Sequence, residues 1–287
     1  SILAPATRMT SSDFGDLTAT SPAVEEGQRT PILFHSNAPW VGTGYGMQSA
    51  LFVPLIERLG YRCAFSAFYG LRGSRLGWVA PDGQQFMVYP GTDVDIHGND
   101  VLGAHAKHWF GDKRGMVVAL TDPWVLDARI VNRLPMIAWM PIDHDPLIPK
   151  THDWLVHSKA IPVAMSRFGE RMLRESGHET VFYAPHGYDP ELFRPVSRTE
   201  ARAALKIPQD AFIVGMVAAN LGSPSRKSFS QAITAVGEFQ KSHKDALLYL
   251  HTKLESPLGE NLPKICKAAG VRVASSDQYS LALGTPS

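Results

Sequence analysis

From residue 31 onward, short apolar runs alternate with longer amphipathic stretches. This alternation is typical of parallel β-strands joined by crossover helices. The predicted strands are Ile32–His35, Cys63–Phe68, Phe86–Tyr89, Met116–Leu120, Met136–Met140, Pro162–Met165 and Val181–Ala184. The predicted helices between them are Tyr45–Leu59, Asn99–Phe110 and Arg167–Ser176. The pattern therefore predicts a first α/β domain with a mainly parallel sheet.

Local signals refine these helices. Ser166 is suited to cap the third helix and Gly177 to end it, while Pro54 is expected to weaken or kink the first. A passage rich in turn-forming residues then runs up to Pro195. We place a domain boundary near Pro195, because such a passage is typical of a link between domains.

The same alternation continues after the boundary. The predicted elements are a helix at Arg198–Leu205, a buried strand at Phe212–Ala219, a helix at Ser228–Lys241, a strand at Ala246–His251, a helix at Asn261–Ala269 and a short strand at Val271–Ala274. Only about half of a usual sheet is present before the sequence ends. The second domain is therefore predicted to be incomplete.

Composition sets the broad class. Residues 1–30 are rich in Ser, Thr, Ala, Pro and Asp and are expected to form a flexible N-terminal arm, followed by domains at 31–195 and 196–287. Hydrophobic residues make up 44% of the chain and the net charge is +1, which gives no global field for nucleic acid or membrane. With two distant cysteines and no apolar stretch of spanning length, we expect a soluble, cytoplasmic protein.

A glycine-rich turn, Gly42-Thr43-Gly44-Tyr45-Gly46, lies between the first predicted strand and helix. Backbone amides at a helix start can approach an anion, so Gly42, Gly44, Tyr45 and Gly46 are candidates for binding phosphate. The spacing differs from G-x-G-x-x-G and the second strand lacks an acidic residue, which disfavours a dinucleotide. The alternative is a tight turn without a ligand.

A second candidate is the polar loop from Asn220 to Lys227, which follows a predicted strand. Arg226 and Lys227 stand where a helix begins, and open α/β sheets bind ligands at this edge. Cations are unfavourable at a helix N-terminus unless an anion accompanies them. Asn220, Arg226 and Lys227 are therefore predicted to bind a diphosphate, the alternative being a solvated helix start.

A third candidate is an acidic and histidine-rich cluster after the Met136–Met140 strand. Its members are Asp143, His144 and Asp145, with His152, Asp153 and His157 downstream. The cluster could position a substrate, transfer a proton, bind a metal or simply cap a loop. It lacks any strong metal-ligand spacing, so we assign no metal site.

Two further positions are weaker candidates. His186 and Asp189 belong to the turn at the predicted boundary, where either substrate contact in a cleft or a purely turn-forming role is consistent with their residue types. Trp40 stands beside the glycine turn. It is predicted to contact a ligand, because sugar-binding surfaces often stack ligands on aromatic faces.

Together, several motifs resemble family 4 of the GT-B glycosyltransferases. They are the Gly42–Gly46 loop, Met140-Pro141-Ile142-Asp143, the passage from Ala184 to Asp189 with Phe193-Arg194-Pro195, Val214-Gly215-Met216-Val217 with Arg226-Lys227, and the strand 245–251. The likeness runs from about residue 31 to about residue 280. It implies an α/β, GT-B-type fold of two Rossmann-like domains with parallel sheets, the second incomplete.

The resemblance also implies a function. A sugar would pass from a nucleoside diphosphate sugar, linked to UDP or GDP, to an acceptor with retention of configuration and without a metal or other cofactor. Arg226, Lys227 and the glycine loop would stabilise the leaving diphosphate. Asp143 or His144 would orient the acceptor hydroxyl or the donor sugar.

One departure from the family leaves alternatives open. The family's donor domain continues to a glycine-rich loop and two glutamates that grip the donor, and this sequence ends before such a segment. The chain could be truncated, completed by another chain, or degenerate. Gln278-Tyr279 and the tail after them resemble a segment just before the missing half, which favours truncation.

Two other functions compete with glycosyl transfer. The first is a non-catalytic scaffold or partner subunit, and the second is a metal-dependent hydrolase using Asp143, His144, Asp145 and His152. A nucleic-acid module is disfavoured by the neutral charge. The acceptor stays open among a glycan, a lipid, a protein and a modified nucleotide in DNA, and the oligomeric state is not predicted.

Overall fold

The computed structural model describes residues 28–274. The predicted flexible arm, residues 1–30, lies outside the described residues except for its last three positions. Gln278 and Tyr279 also lie outside them. The chain divides after Phe193 into two compact units. Each unit is an α/β layer structure, and each is described below by itself.

The first unit is built on a mainly parallel sheet. Its strands are β1 (Pro31–Asn37), β2 (Arg62–Tyr69), β3 (Leu76–Val79), β4 (Gln85–Pro90), β5 (Met116–Leu120), β6 (Met136–Met140), β7 (Ile161–Ala164) and β8 (Phe182–Tyr183). Within residues 28–274 they form one eight-stranded sheet in the order β3-β4-β2-β1-β5-β6-β7-β8. β3 and β4 pair antiparallel, and the other neighbours pair parallel.

Helices connect these strands. They are α1 (Gly44–Arg58), α2 (Asn99–Phe110), α3 (Ala128–Val131), α4 (Pro149–His157) and α5 (Arg167–Glu175). The predicted caps of α5 are confirmed, since the Ser166 side chain accepts from the Gly169 amide and Gly177 has a φ of 90°. Pro54 lies inside α1, which continues past it to Arg58.

Both faces of the sheet are buried. All seven residues of β1 are buried. Its consecutive residues Leu33 and Phe34 belong to different hydrophobic clusters, which lie on opposite faces of the sheet. Side chains alternate across a strand, so a strand buried along its whole length belongs to a sheet that is covered on both faces. Full burial of side chains such as Leu33 and Phe34 contributes about 1.5–3 kcal/mol each. The rigid sheet fixes the positions of the loops at its edge.

The second unit is a β-α-β arrangement with flanking helices. Its elements are α6 (Arg198–Ala204), β9 (Phe212–Val217), α7 (Phe229–Ser242), β10 (Ala246–His251) and α8 (Leu262–Ala268). β9 and β10 pair parallel, and in the described residues they form a two-stranded sheet. The predicted strand at Val271–Ala274 is reduced to a single bridge between Val273 and Leu248.

One expectation for the second unit was wrong. The sequence predicted a buried strand at Phe212–Ala219, but Phe212 is 53% exposed and Val217 is 73% exposed. Within residues 28–274, β9 pairs with β10 on one side only, so its apolar residues are not enclosed.

Across the two units, no helix among residues 28–274 is long and apolar enough to cross a membrane.

Candidate functional site

Most of the predicted site residues lie just after three adjacent strands of the first sheet. β1, β5 and β6 are neighbours and parallel, so their carboxyl ends meet at one edge. β1 leads into the glycine turn and α1, β5 leads to Asp122, and β6 leads to Asp143 and His144. In open α/β sheets this edge is where ligands bind.

The glycine turn begins α1 with a side-chain cap. The Thr43 hydroxyl accepts from the Gly46 amide at 3.1 Å and from the Asn37 side chain at 2.7 Å. The first amides of a helix lack partners within that helix. Within residues 28–274, the amides of Gly44 and Tyr45 donate to no protein acceptor. They are available to an anion, and the helix dipole favours one there.

The three glycines of this turn differ in what surrounds them. A Cβ atom on Gly46 would lie 2.3 Å from the Val41 carbonyl oxygen and 3.0 Å from that of Ala38. A Cβ atom on Gly42 or Gly44 would meet nothing within 4 Å. Gly46 is therefore required by the packing of the turn itself, whereas Gly42 and Gly44 face open space.

Tyr45 links this turn to two carboxylates. Burial raises the pKa of the Tyr45 phenol well above its usual range, and the negative charges of Asp122 and Asp143 raise it further. Burial also raises the pKa of the Asp122 carboxyl, with a further contribution from Asp143, while His97 opposes the shift. The phenol therefore stays protonated and able to donate a hydrogen bond beside both carboxylates.

Asp122 is a site residue that the sequence analysis missed. It is half-buried, and within residues 28–274 its carboxylate accepts no hydrogen bond. With Asp143, His144 and Trp124 it lines a shallow depression. Its position just after the predicted strand Met116–Leu120 could have identified it as a candidate. That position brings Asp122 close to Asp143 only because β5 and β6 are adjacent, and the sequence does not reveal this adjacency.

The Asp143–His144 pair lies in solvent. The His144 Nδ1 atom is 2.5 Å from an Asp143 carboxylate oxygen, and the side chains are 59% and 81% exposed. His152, which the hydrolase alternative groups with them, has its ring 5.3 Å from that of His178. Within residues 28–274, no group of three or more His, Cys, Asp or Glu side chains is arranged to hold a metal ion.

The turn that carries His186 and Asp189 is fixed against α1. The Gln48 side-chain amide donates to the Gly187 carbonyl at 2.8 Å and accepts from the Gly187 amide at 3.0 Å. The His186 ring meets Trp139 edge-on at 5.1 Å, and burial lowers its pKa. Asp189 accepts from the Glu191 amide at 2.8 Å. These contacts make both predicted residues parts of an ordered turn.

Trp40 presents an anchored ring. Its indole nitrogen donates to the Gly70 carbonyl at 3.1 Å, and the residue is 43% exposed. The hydrogen bond restrains the ring while a large part of it stays in solvent. Such an arrangement suits the stacking that the sequence analysis predicted for Trp40.

In the second unit, Arg226 and Lys227 precede α7 and are exposed. Within residues 28–274, neither side chain has an ion pair or a hydrogen bond. α7 begins without a side-chain cap, so its first amides are also free of side-chain acceptors. Two cations and uncapped helix amides together favour an anion.

Asn220 has a different environment. Its side chain is buried and donates to the carbonyls of Lys253 and Glu260, while its oxygen accepts from the Glu260 amide at 3.0 Å. The amide group is thus used to hold the loop after β10. Its predicted contact with a ligand stays a prediction.

A histidine network in the first unit also escaped the sequence analysis, because His35 lies within an apolar strand. His35 is fully buried, with Nε2 3.0 Å from the His97 carbonyl oxygen and Nδ1 3.0 Å from the Ser66 hydroxyl. The Ser66 hydroxyl is 2.9 Å from His105 Nδ1. Since the carbonyl accepts from Nε2–H, His35 Nδ1 accepts from Ser66, and Ser66 accepts from His105. Burial lowers the pKa of both histidines to about 4.

Comparison with known proteins bears on the fold. No protein-family profile matches the chain, and no curated protein matches its sequence. Solved structures do match, among them the apo structure of OtsA, with 9% sequence identity and a TM-score of 0.52. The match covers 89% of this chain and 76% of the OtsA chain. This likeness bears on the fold alone, which is α/β and of the GT-B type.

Proposed function

We propose that the chain acts in glycosyl transfer, moving a sugar from a nucleoside diphosphate sugar to an acceptor hydroxyl with retention of configuration, as in family 4. The observation that carries this proposal is the pair of unpartnered cations, Arg226 and Lys227, in the second unit of a GT-B-type fold. They stand at the start of α7, on the side of β9 where open sheets bind ligands.

The leaving group explains why these residue types are needed. As the bond between sugar and diphosphate breaks, negative charge grows on the diphosphate oxygens. Arg226, Lys227 and the first amides of α7 would stabilise that charge, and groups held in place before reaction act most strongly on the transition state. No metal or cofactor is part of this proposal.

On the first unit, the groups that would handle the acceptor are Asp122, Asp143 and Tyr45, with Trp40 as a stacking surface. Carboxylates accept hydrogen bonds from hydroxyl groups and so orient them. The protonated Tyr45 phenol can donate to a sugar oxygen. The departing phosphate would accept the hydroxyl proton, which leaves the carboxylates a positioning role.

The test is calorimetric titration of the full chain with UDP and with GDP, with and without magnesium. We expect metal-independent binding of at least one nucleotide. The Arg226→Ala, Lys227→Ala double variant should lose at least about 100-fold in affinity, because each substitution removes a charge-assisted contact worth about 1.5–3 kcal/mol.

The matched control is the Lys241→Ala, Lys244→Ala double variant. It removes the same net charge, but Lys241 lies in the last turn of α7 and Lys244 precedes β10. Equal loss in both double variants would refute a specific diphosphate site. Absence of binding in the unchanged chain would refute the donor role and leave a scaffold function. Where binding is found, NMR of the glycoside product tests retention.

A further inference from the structure

Exposed aromatic rings gather at the carboxyl edge of the first sheet. Tyr69 ends β2 and is 54% exposed, and Trp40 follows β1 and is 43% exposed. Trp40 donates to the carbonyl of Gly70, the residue after Tyr69, so the two rings belong to adjacent loops. Trp124 follows β5 and is 39% exposed. Exposed aromatic rings of this kind are enriched at binding surfaces.

Carboxylates continue the same edge. The sheet order β2-β1-β5-β6 places Tyr69, Trp40, Asp122 and Asp143 at successive strand ends. Parallel strands are spaced about 4.8 Å apart, so the three steps from β2 to β6 span about 14 Å. Trp40 and Tyr69 therefore lie on one side of this edge, and the carboxylates lie with Trp124 on the other.

The charge of this edge excludes one class of ligand. The carboxylates Asp122, Asp143 and Asp145 outnumber the nearby ammonium of Lys150, which lies 4.9 Å from the Trp124 ring. Arg72, in the loop after β2, is paired with Asp93 at 3.0 Å. Binding of a phosphate backbone depends on several unpaired cations. These carboxylates would instead repel a nucleic acid or a phosphorylated sugar.

We infer that the acceptor is a neutral saccharide, whose ring stacks on Trp40 and Tyr69 and whose hydroxyls donate to Asp122 and Asp143. This inference rests on the proposed function and selects among its possible acceptors. Aromatic faces suit the apolar C–H face of a sugar ring. Carboxylates suit its hydroxyls, and the unpartnered Asp122 carboxylate is the acceptor best placed to determine specificity.

The experiment measures binding of acceptor probes to the full chain without any donor. The probes are a set of neutral hexose disaccharides and trisaccharides, the same compounds carrying one phosphate, and a single-stranded DNA 12-mer. Binding is followed by saturation-transfer NMR and by calorimetry. We expect binding of neutral saccharides that is insensitive to salt, with weaker or absent binding of both anionic classes.

Two variants locate the site. We expect Tyr69→Ala and Asp122→Asn each to weaken saccharide binding about tenfold, since each removes one stacking or charge-assisted contact. The control is Tyr61→Ala, which removes a tyrosine 40% exposed that precedes the same strand, at the opposite edge of the sheet. Tryptophan fluorescence confirms that each variant is folded. If Tyr69→Ala does not fold, Asp122→Asn still tests the site, because asparagine has the same shape as aspartate.

Three results would overturn the inference. They are tighter binding of DNA or phosphorylated saccharides, no binding of any neutral saccharide at millimolar concentration, and equal losses in the Tyr61 and Tyr69 variants. Nucleotide titration of the same preparations separates this inference from the proposed function. A chain that binds UDP or GDP through Arg226 and Lys227 but not neutral saccharides would refute the acceptor class alone.

Discussion

Two glycines only two positions apart are expected to respond in opposite directions to the same substitution. Replacing Gly46 with alanine would place a Cβ atom 2.3 Å from the Val41 carbonyl oxygen. That oxygen accepts from the Thr43 amide at 2.7 Å, and Thr43 caps α1. The backbone must shift to relieve the clash, and the shift would disturb both the turn and the cap.

The size of the effect follows from three contributions. Overpacking against a fixed backbone destabilises by about 1–3 kcal/mol, and a weakened cap adds about 1 kcal/mol. Alanine in place of glycine stabilises the folded state by about 1 kcal/mol, because its helix propensity is higher. We therefore expect Gly46→Ala to lower the free energy of unfolding by about 2 kcal/mol. Gly44→Ala, which meets no atom within 4 Å, should raise it by about 0.5–1 kcal/mol.

Urea unfolding followed by tryptophan fluorescence is the assay. All six tryptophans precede residue 194, so the signal reports on the first unit even if the two units unfold separately. Equal effects of the two substitutions, or a stabilised Gly46→Ala variant, would refute the steric reasoning. Nucleotide titration of Gly44→Ala adds a second readout, because a weakened affinity in a stabilised protein would locate phosphate at this turn.

Two further predictions concern buried polar groups. The pKa of His35 is about 4 in the folded state and about 6.5 when unfolded. Its contribution to stability is therefore complete above pH 6.5 and decreases as the pH falls from 6.5 towards 4. At pH 4.5 the free energy of unfolding should be lower by about 2–3 kcal/mol. His35→Gln, which cannot titrate, should show a flatter profile in urea unfolding between pH 7 and 4.5, and parallel profiles for the two proteins would contradict this account. Asn220→Ala should destabilise the second unit by about 2–4 kcal/mol, because it leaves the Lys253 and Glu260 carbonyls and the Glu260 amide without their partner. Amide hydrogen exchange across residues 252–262 checks it, with exposed Gln231→Ala in the same unit as the comparison. Unchanged protection in Asn220→Ala would show that the loop does not depend on this side chain.

The sequence predicted the main strands and helices of the first unit because their periodicity is strong. α2, β5 and β6 have the predicted bounds. β3 was missed because it is a four-residue edge strand whose residues are mostly exposed, so burial leaves no pattern in it. α4 was missed because only a few of its side chains are buried, and its N-terminal turn contains a proline.

The site was harder to predict than the fold, because it depends on which strands are neighbours. The cluster around Asp143 was identified from its residue types, but its relation to Tyr45 and Asp122 follows from the order β1-β5-β6. The internal role of Asn220 was not predicted either, because the loop to which its side chain donates lies more than 30 residues further along the chain. The open faces of Gly42 and Gly44 are likewise visible only in three dimensions.

The hydrogen bonds between Gln48 and Gly187 bear on how the protein is synthesised. Their residues are 139 positions apart, so the ribosome has released α1 long before Gly187 emerges. Until then the side-chain amide of Gln48 is hydrogen-bonded to water instead of to Gly187. The growing chain can therefore assemble most of its first sheet early, but this closing contact forms only after residue 187 has left the exit tunnel. Stalling of translation just before that point would yield a nascent chain in which α1 already packs on β1 and β2 but lacks its hydrogen bonds to Gly187.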